Sequence, residues 1–177
     1  MNANFNPQFA KLGEILIHNG KATESGINEA LAEQKVTNQK IGLTLIEMGF
    51  IEEDDFTFAY GQQLGYKKAD NFILLEADSK VASLIPEDFA RENRVLGVSS
   101  SDTTIVIAME DPEDVVAIDS IKRLTSLNPD ILVAGPSLLE KALDKVYGEI
   151  QKTAEVEPLR DHSYYLSINY PDCLIKF

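Results

Sequence analysis

Residues 11–34 and 40–63 are two copies of one 24-residue unit, offset by 29 residues. The first reads KLGEILIHNGKATESGINEALAEQ and the second KIGLTLIEMGFIEEDDFTFAYGQQ. Eight of the 24 aligned positions are identical: Lys11/Lys40, Gly13/Gly42, Leu16/Leu45, Ile17/Ile46, Gly20/Gly49, Glu24/Glu53, Ala30/Ala59 and Gln34/Gln63. No gap is needed, and the five residues KVTNQ separate the copies. Self-similarity at a fixed spacing marks a duplicated structural unit. Such a unit makes a two-fold-like surface, and that surface suits a ligand with two similar halves.

The repeat reads as helical. Phe9, Leu12, Leu16 and Ile17 follow helical spacing from Pro7 to Ile17, and Asn19-Gly20 supplies a stop. Thr23 caps a second helix running to about Lys35, with Ile27, Ala30, Leu31 and Gln34 along one side. The second copy repeats this through Ile41, Leu45 and Ile46, stops at Met48-Gly49, and restarts at Glu52 to Asp55. The four carboxylates there suit the positive end of a helix dipole. Phe56, Ala59, Tyr60 and Gln63 share the next face, and Gly65 ends it. Residues 1–66 therefore form a pair of helical hairpins.

The pattern changes near Tyr66. Phe72 to Leu75 reads as a short strand or extended entry. Asp78 to Ile85 reads as helix, and Pro86-Glu87-Asp88 opens another. Val95–Val98 and Thr103–Ala108 read as a β-hairpin joined by Ser99 to Asp102. Asp111 to Asp114 starts a helix carrying Val115, Ile118, Ile121 and Leu124. Asn128-Pro129-Asp130 breaks it, and Ile131–Ala134 is a further strand. Ser137 to Glu140 is a capping box opening a helix to about Ile150. The fold class is α+β: residues 67–150 form a small α/β sandwich, with helices on one face of a three- or four-stranded sheet. Residues 151–177 read as linker and tail, with Tyr164 to Tyr170 as a candidate edge strand.

The net charge of −13 disfavours nucleic acid or anionic lipid as a partner for the whole surface. The charge is uneven. Residues 1–68 carry six Lys/Arg against nine Asp/Glu, a net of −3; residues 69–177 carry ten against twenty, a net of −10. The repeat half is the better place for an anionic ligand. The N-terminus MNANFNPQF is not a signal peptide, and the single Cys173 makes no internal disulfide, so the cytoplasm is the simplest compartment. No phosphate loop, GxSxG or paired metal ligands occur, and the two histidines, His18 and His162, are far apart. Gly135-Pro136-Ser137 precedes a helix, as either an anion cradle or a plain strand-to-helix turn.

Within each repeat the chemistry concentrates at a few positions. Lys11 and Lys40 supply point charges suited to phosphate. Gly13 and Gly42 allow close approach to the backbone. Gln34 and Gln63 carry amides that can hydrogen-bond a base edge in two directions. Ile27 with Leu31, and Phe56 with Tyr60, lie four apart on a helical face. They can pack against flat bases or serve as ordinary hairpin core.

Together these features resemble the N-terminal domain of type II secretion and type IV pilus assembly ATPases. In that family, paired motifs beginning Arg-Leu-Gly and ending in Gln bind cyclic di-GMP, one half each. The likeness spans roughly residues 10–150 and continues through QLGY at 63–66, AMEDPEDVVAID at 108–119 and the closing helix with Tyr147. It implies ligand contacts at Lys11, Leu12, Gly13, Ile27, Leu31 and Gln34 in the first motif. In the second it implies Lys40, Ile41, Gly42, Phe56, Tyr60 and Gln63. Lysine stands at both leading positions in place of arginine, and Ile27, Ile41, Phe56 and Tyr60 stand where the family has leucines.

The resemblance implies a non-enzymatic regulatory and docking domain with no cofactor and cyclic di-GMP as ligand. Its implied partners are the cytoplasmic domain of an inner-membrane assembly protein and an ATPase domain in cis or in trans, with no DNA or RNA. The expected place is the cytoplasm, peripheral at the inner membrane through that partner. The ATPase part that follows in the family is not within these 177 residues, so the chain is either a piece of a longer protein or a stand-alone module. The alternative function is a protein–protein adaptor whose degenerate motifs bind no nucleotide.

Overall fold

The structure is a computed structural model and describes residues 5–156. Each repeat forms a helix, a glycine turn and a second helix. The first copy gives α1 (Leu12–His18) and α2 (Glu24–Thr37); the second gives α3 (Ile41–Glu47) and α4 (Glu53–Leu64). The turn glycines adopt left-handed φ, +70° at Gly20 and +73° at Gly49. In both copies the residue after the glycine donates back into the helix: Lys21 N–H to the Leu16 carbonyl and Phe50 N–H to the Leu45 carbonyl, each 2.9 Å. This six-to-one bond satisfies carbonyls that the helix end would otherwise leave unpaired. Thr23 caps α2 by accepting from the Gly26 N–H at 3.2 Å.

The helix read from Pro7 to Ile17 is interrupted. Pro7–Phe9 is a single 3-10 turn held by the Asn6 side chain, and Ala10 is extended. Phe9 is consequently 89% exposed rather than part of the packed face.

The repeat core is itself repeated. Leu16 and Leu45 are fully buried, as are Ala30 and Ala59, with Ile15 and Ile51 beside them. The helices follow one another in two pairs, yet the principal packing crosses between copies: α1 lies on α4 and α2 on α3. The contacts are reciprocal. The Gln34 amide donates to the Gln39 carbonyl at 2.9 Å, and Gln63, its equivalent, donates to the Ala10 carbonyl at 3.0 Å. Gly26 lies against the Phe50 ring; their equivalents, Asp55 and Lys21, form an ion pair at 2.7 Å. In each case residue i of one copy meets j of the other, and the equivalent of i meets the equivalent of j. That is the signature of a two-fold, isologous interface, here within one chain.

The second half is a four-stranded sheet with helices around it. Its elements are β1 (Lys67–Lys68), α5 (Asn71–Leu75), α6 (Ser79–Ala82), α7 (Glu87–Glu92), β2 (Val95–Ser100), β3 (Thr104–Met109), α8 (Val115–Thr125), β4 (Asn128–Val133) and α9 (Pro136–Val156). Strand order is β1-β4-β3-β2, antiparallel between β2 and β3 and parallel elsewhere. Consecutive residues Val95 to Val98 and Ile107 to Met109 are all buried. Neighbouring strand residues point to opposite faces. Both faces are therefore covered at the centre of the sheet, not one as the sequence suggested.

Other expectations change locally. Phe72 to Leu75 is helix α5, because Asp70 accepts from the Ile73 N–H at 2.7 Å and caps it. Asn128-Pro129 opens a strand rather than breaking structure. β1 reaches only Leu132 and Val133 of β4, so Pro129 sits where no neighbour needs its missing N–H. The helix read from Asp78 to Ile85 shrinks to α6, and α9 runs on to Val156, through Glu155-Val156 of the expected linker. Residues 157–177, with Tyr164 to Tyr170, His162 and Cys173, lie outside the described residues.

Tyr147 of α9 pins the sheet half together. Its buried hydroxyl donates to the carbonyls of Ala82 (3.0 Å) and Ile85 (2.8 Å). Burial pushes its phenol up to about 12, from 10.0. The folded chain thus holds a proton that the unfolded chain releases first. Its contribution is full below about pH 10 and is lost as pH rises towards 12. Tyr147→Phe takes the partner from the Ile85 carbonyl, while the Ala82 carbonyl keeps the Ile85 N–H at 3.0 Å, and is expected to destabilise by about 1–3 kcal/mol at neutral pH. It should also lessen the fall in stability between pH 10 and 12. Denaturant titrations at pH 7 and pH 11 measure both.

The two halves meet along α4. The Glu53 carboxylate accepts from the Ser137 N–H (2.9 Å) and hydroxyl (2.6 Å) at the start of α9. Gly135 is closely approached there, since a Cβ on it would stand 2.8 Å from the Glu53 oxygen. The Gly135-Pro136-Ser137 turn does hold an anion, and the anion is the protein's own carboxylate. Ser137 is therefore not the capping acceptor expected from sequence; Glu53 takes that role, and Glu140 lies instead 3.8 Å from Arg94. Asp54 pairs with Lys68, and the Tyr60 hydroxyl donates to Glu113 at 3.2 Å.

Candidate functional site

Lys11 and Lys40 occupy equivalent places, each the extended residue that precedes a helix (φ −72°, ψ 150° and φ −67°, ψ 136°). Both are exposed, and among the described residues neither ammonium takes part in an ion pair. They stand apart from the carboxylates that occupy Lys21 and Lys68. Two unpaired cations at symmetric helix starts can receive two phosphates. The carbonyls that precede them, at Ala10 and Gln39, are the ones gripped by Gln63 and Gln34. Each motif's closing glutamine thus fixes the start of the other motif. Sequence suggested that these amides face a base; here one N–H of each is committed to backbone.

Leu12 and Ile41 are half-buried on the repeat core. Gly13 is covered by Ile27, whose Cγ2 would lie 3.0 Å from a Cβ on the glycine. Gly42 is covered far more closely. The Phe56 ring would lie 2.1 Å from a Gly42 Cβ, and it stacks on Tyr60 with centroids 5.6 Å apart and planes 12° from parallel. Burial and the carboxylates of Asp111 and Glu113 raise the Tyr60 phenol well above its usual range, keeping it a hydrogen-bond donor. Leu31, its counterpart, is 40% exposed.

Gly42→Ala is expected to cost about 1–3 kcal/mol through overpacking against Phe56. Phe56→Ala in the same chain should remove most of that increment. A double-mutant cycle by urea denaturation measures the coupling.

The environments of the two motifs differ in a regular way. Glu53, Asp54, Tyr60 and Gly61 of α4 face the sheet half, through Ser137, Lys68, Glu113 and Val133. Their equivalents on α2, namely Glu24, Ser25, Leu31 and Ala32, are all exposed. The second motif is docked on the sheet half at these positions, and the corresponding positions of the first are open to solvent.

Residues 72–152 match the MshEN domain, a span that begins after the second motif. The motifs themselves are reached by likeness to the solved structure of MshE with cyclic di-GMP. That likeness has 30% identity and a TM-score of 0.65, and covers 78% of this chain and 99% of that one. The chain belongs to the MshEN domain family. It is an N-terminal domain of the type II secretion and type IV pilus assembly ATPase class. The type IV pilus assembly ATPases PilB of Myxococcus xanthus and Thermus thermophilus are each 28% identical to it, over 78% and 82% of this chain. This MshEN domain spans only 24% and 20% of those two proteins. The N-terminal domain of XpsE shares the fold, at 19% identity and a TM-score of 0.55, over 76% of this chain and 92% of that one.

In this MshEN domain the bonds by which Glu53, Asp54 and Glu113 join the second motif to the sheet half are not legible in the sequence. Glu53 was legible only as a helix-start carboxylate. Its partner Ser137 lies 84 residues away.

Proposed function

We propose that this MshEN domain is a non-enzymatic regulatory and docking region that binds cyclic di-GMP, one guanine half per motif. The observation that carries this reading is the two-fold placement of Lys11 and Lys40. Among the described residues neither takes part in an ion pair; both precede a helix, and each is set by the glutamine of the other motif. A ligand with two phosphates and two identical bases matches that symmetry. The likeness to MshE, solved with cyclic di-GMP, supports the same reading. We place the chain in the cytoplasm, held at the inner membrane by the cytoplasmic domain of an assembly protein and working on an ATPase domain in cis or in trans. Among the described residues no helix is long and apolar enough to cross a membrane.

The test is equilibrium dialysis with cyclic di-GMP and with GMP. Joining two halves makes the second contact intramolecular and raises affinity by about 10²–10⁴. Cyclic di-GMP should bind at least a hundredfold more tightly than GMP. Equal binding of the two would sink the two-half arrangement.

A second reading has one observation in its favour. The Phe56 ring already covers Gly42, as it would in an adaptor whose motifs serve only as scaffold. That reading expects a complex with the membrane partner's cytoplasmic domain and no dinucleotide binding.

A further inference from the structure

The two halves of the site differ most at one ring. Over Gly13 the covering group is the aliphatic Ile27, with its nearest carbon 3.0 Å from the position a Cβ would take. Over Gly42 the ring itself lies on the backbone, with Cε2, Cδ2 and Cζ of Phe56 at 2.1, 2.6 and 2.9 Å from that position. No group can approach that face of Gly42 while the ring stays there. The ring is also backed: Tyr60 stacks on it, and the Tyr60 hydroxyl is tied to Glu113 in the loop ahead of α8. At Ile27 the residue equivalent to Tyr60 is Leu31, which is 40% exposed and brings neither a ring to stack nor a hydroxyl to tie to the sheet half. A flat aromatic ring against bare glycine backbone is also the arrangement a nucleobase would adopt.

We propose that Phe56 is an internal plug of the second half-site, its ring filling the place over Gly42 that the second base of a cyclic dinucleotide takes on binding. This rests on the dinucleotide reading above and adds its regulation. The first motif engages one half of the ligand. The second half enters only when Phe56 swings away from Gly42 and breaks its stack with Tyr60. A site that is competent for only a fraction of the time binds more weakly by that fraction. Opening also disturbs Tyr60 and its bond to Glu113, so occupancy of the second motif is reported to the sheet half.

The test compares the unaltered chain with Phe56→Ile, which makes the second copy match the first, and with Phe56→Leu. Each is titrated with cyclic di-GMP, and each is first shown to be folded by circular dichroism. If the ring is seated over Gly42 about nine-tenths of the time, both variants bind about tenfold more tightly. In the ligand-free protein the Gly42 Hα resonance should be displaced upfield by the ring. That displacement should vanish in both variants and on saturation with ligand. Binding by the variants alone would also support the plug. Weaker binding by both variants would make the ring a stacking contact, and unchanged binding would mean the second half-site is not entered; either result overturns the plug while leaving dinucleotide binding intact. No binding by any of the three folded chains overturns the dinucleotide reading, and the plug with it.

Discussion

Replacing both leading lysines, Lys11→Ala with Lys40→Ala, is expected to weaken cyclic di-GMP binding by about a hundredfold or more. A hydrogen bond to a charged group contributes about 1.5–3 kcal/mol. Exposure of both lysines places each contact at the low end of that range. Two contacts of about 1.4 kcal/mol give a factor of ten each. The lysines lie on separate helix starts, so the single changes should add. The background field reinforces the effect. Residues 1–68 carry a net charge of −3, and losing two lysines takes it to −5. Raising the ionic strength should weaken the unaltered protein more than the double variant, since exposed charges are screened. The reverse substitution is as informative. Arginine at both positions restores the planar fork and should strengthen binding. Titration calorimetry at two salt concentrations measures all four chains. An affinity untouched by the alanine pair would remove the lysines from the site.

The second large effect concerns the fold. Leu16→Ala and Leu45→Ala should each destabilise the domain by about 2–5 kcal/mol, the span for burying a cavity of that size. The two values should also lie close together. Both leucines are fully buried in the same small cluster, and they are equivalent residues of the two copies. The reciprocal packing of α1 on α4 and α2 on α3 gives each the same kind of surroundings. Denaturant unfolding of both variants supplies the comparison. A large loss at one leucine with almost none at the other would contradict a shared two-fold core.

Much of this was readable from sequence, for identifiable reasons. Gly20 and Gly49 announced the turns because a left-handed residue at a helix end strongly favours glycine. The spacing of Leu16, Ala30, Leu45 and Ala59 announced the buried faces. Periodicity shows that a face is buried but not what covers it, so the crossing of helices between copies was not legible. The short apolar run Phe72 to Leu75 was ambiguous for the same reason. Strand and helix both suit four apolar residues, and the Asp70 cap decides. The amides of Gln34 and Gln63 read from sequence as partners for a base edge; their bonds to the Gln39 and Ala10 carbonyls were not legible, because an amide's sequence position does not reveal its acceptor. Glu53 shows the limit most clearly. As one of four neighbouring carboxylates it looked like a contribution to its own helix, and only the folded chain brings Ser137 to it.

We propose that this MshEN domain takes up one cyclic di-GMP across its two motifs. Calorimetric titration of the dinucleotide into the folded chain tests it most directly. Saturable heat with a stoichiometry of one dinucleotide per chain is expected. No heat at micromolar concentrations, from a sample shown to be folded, would contradict it.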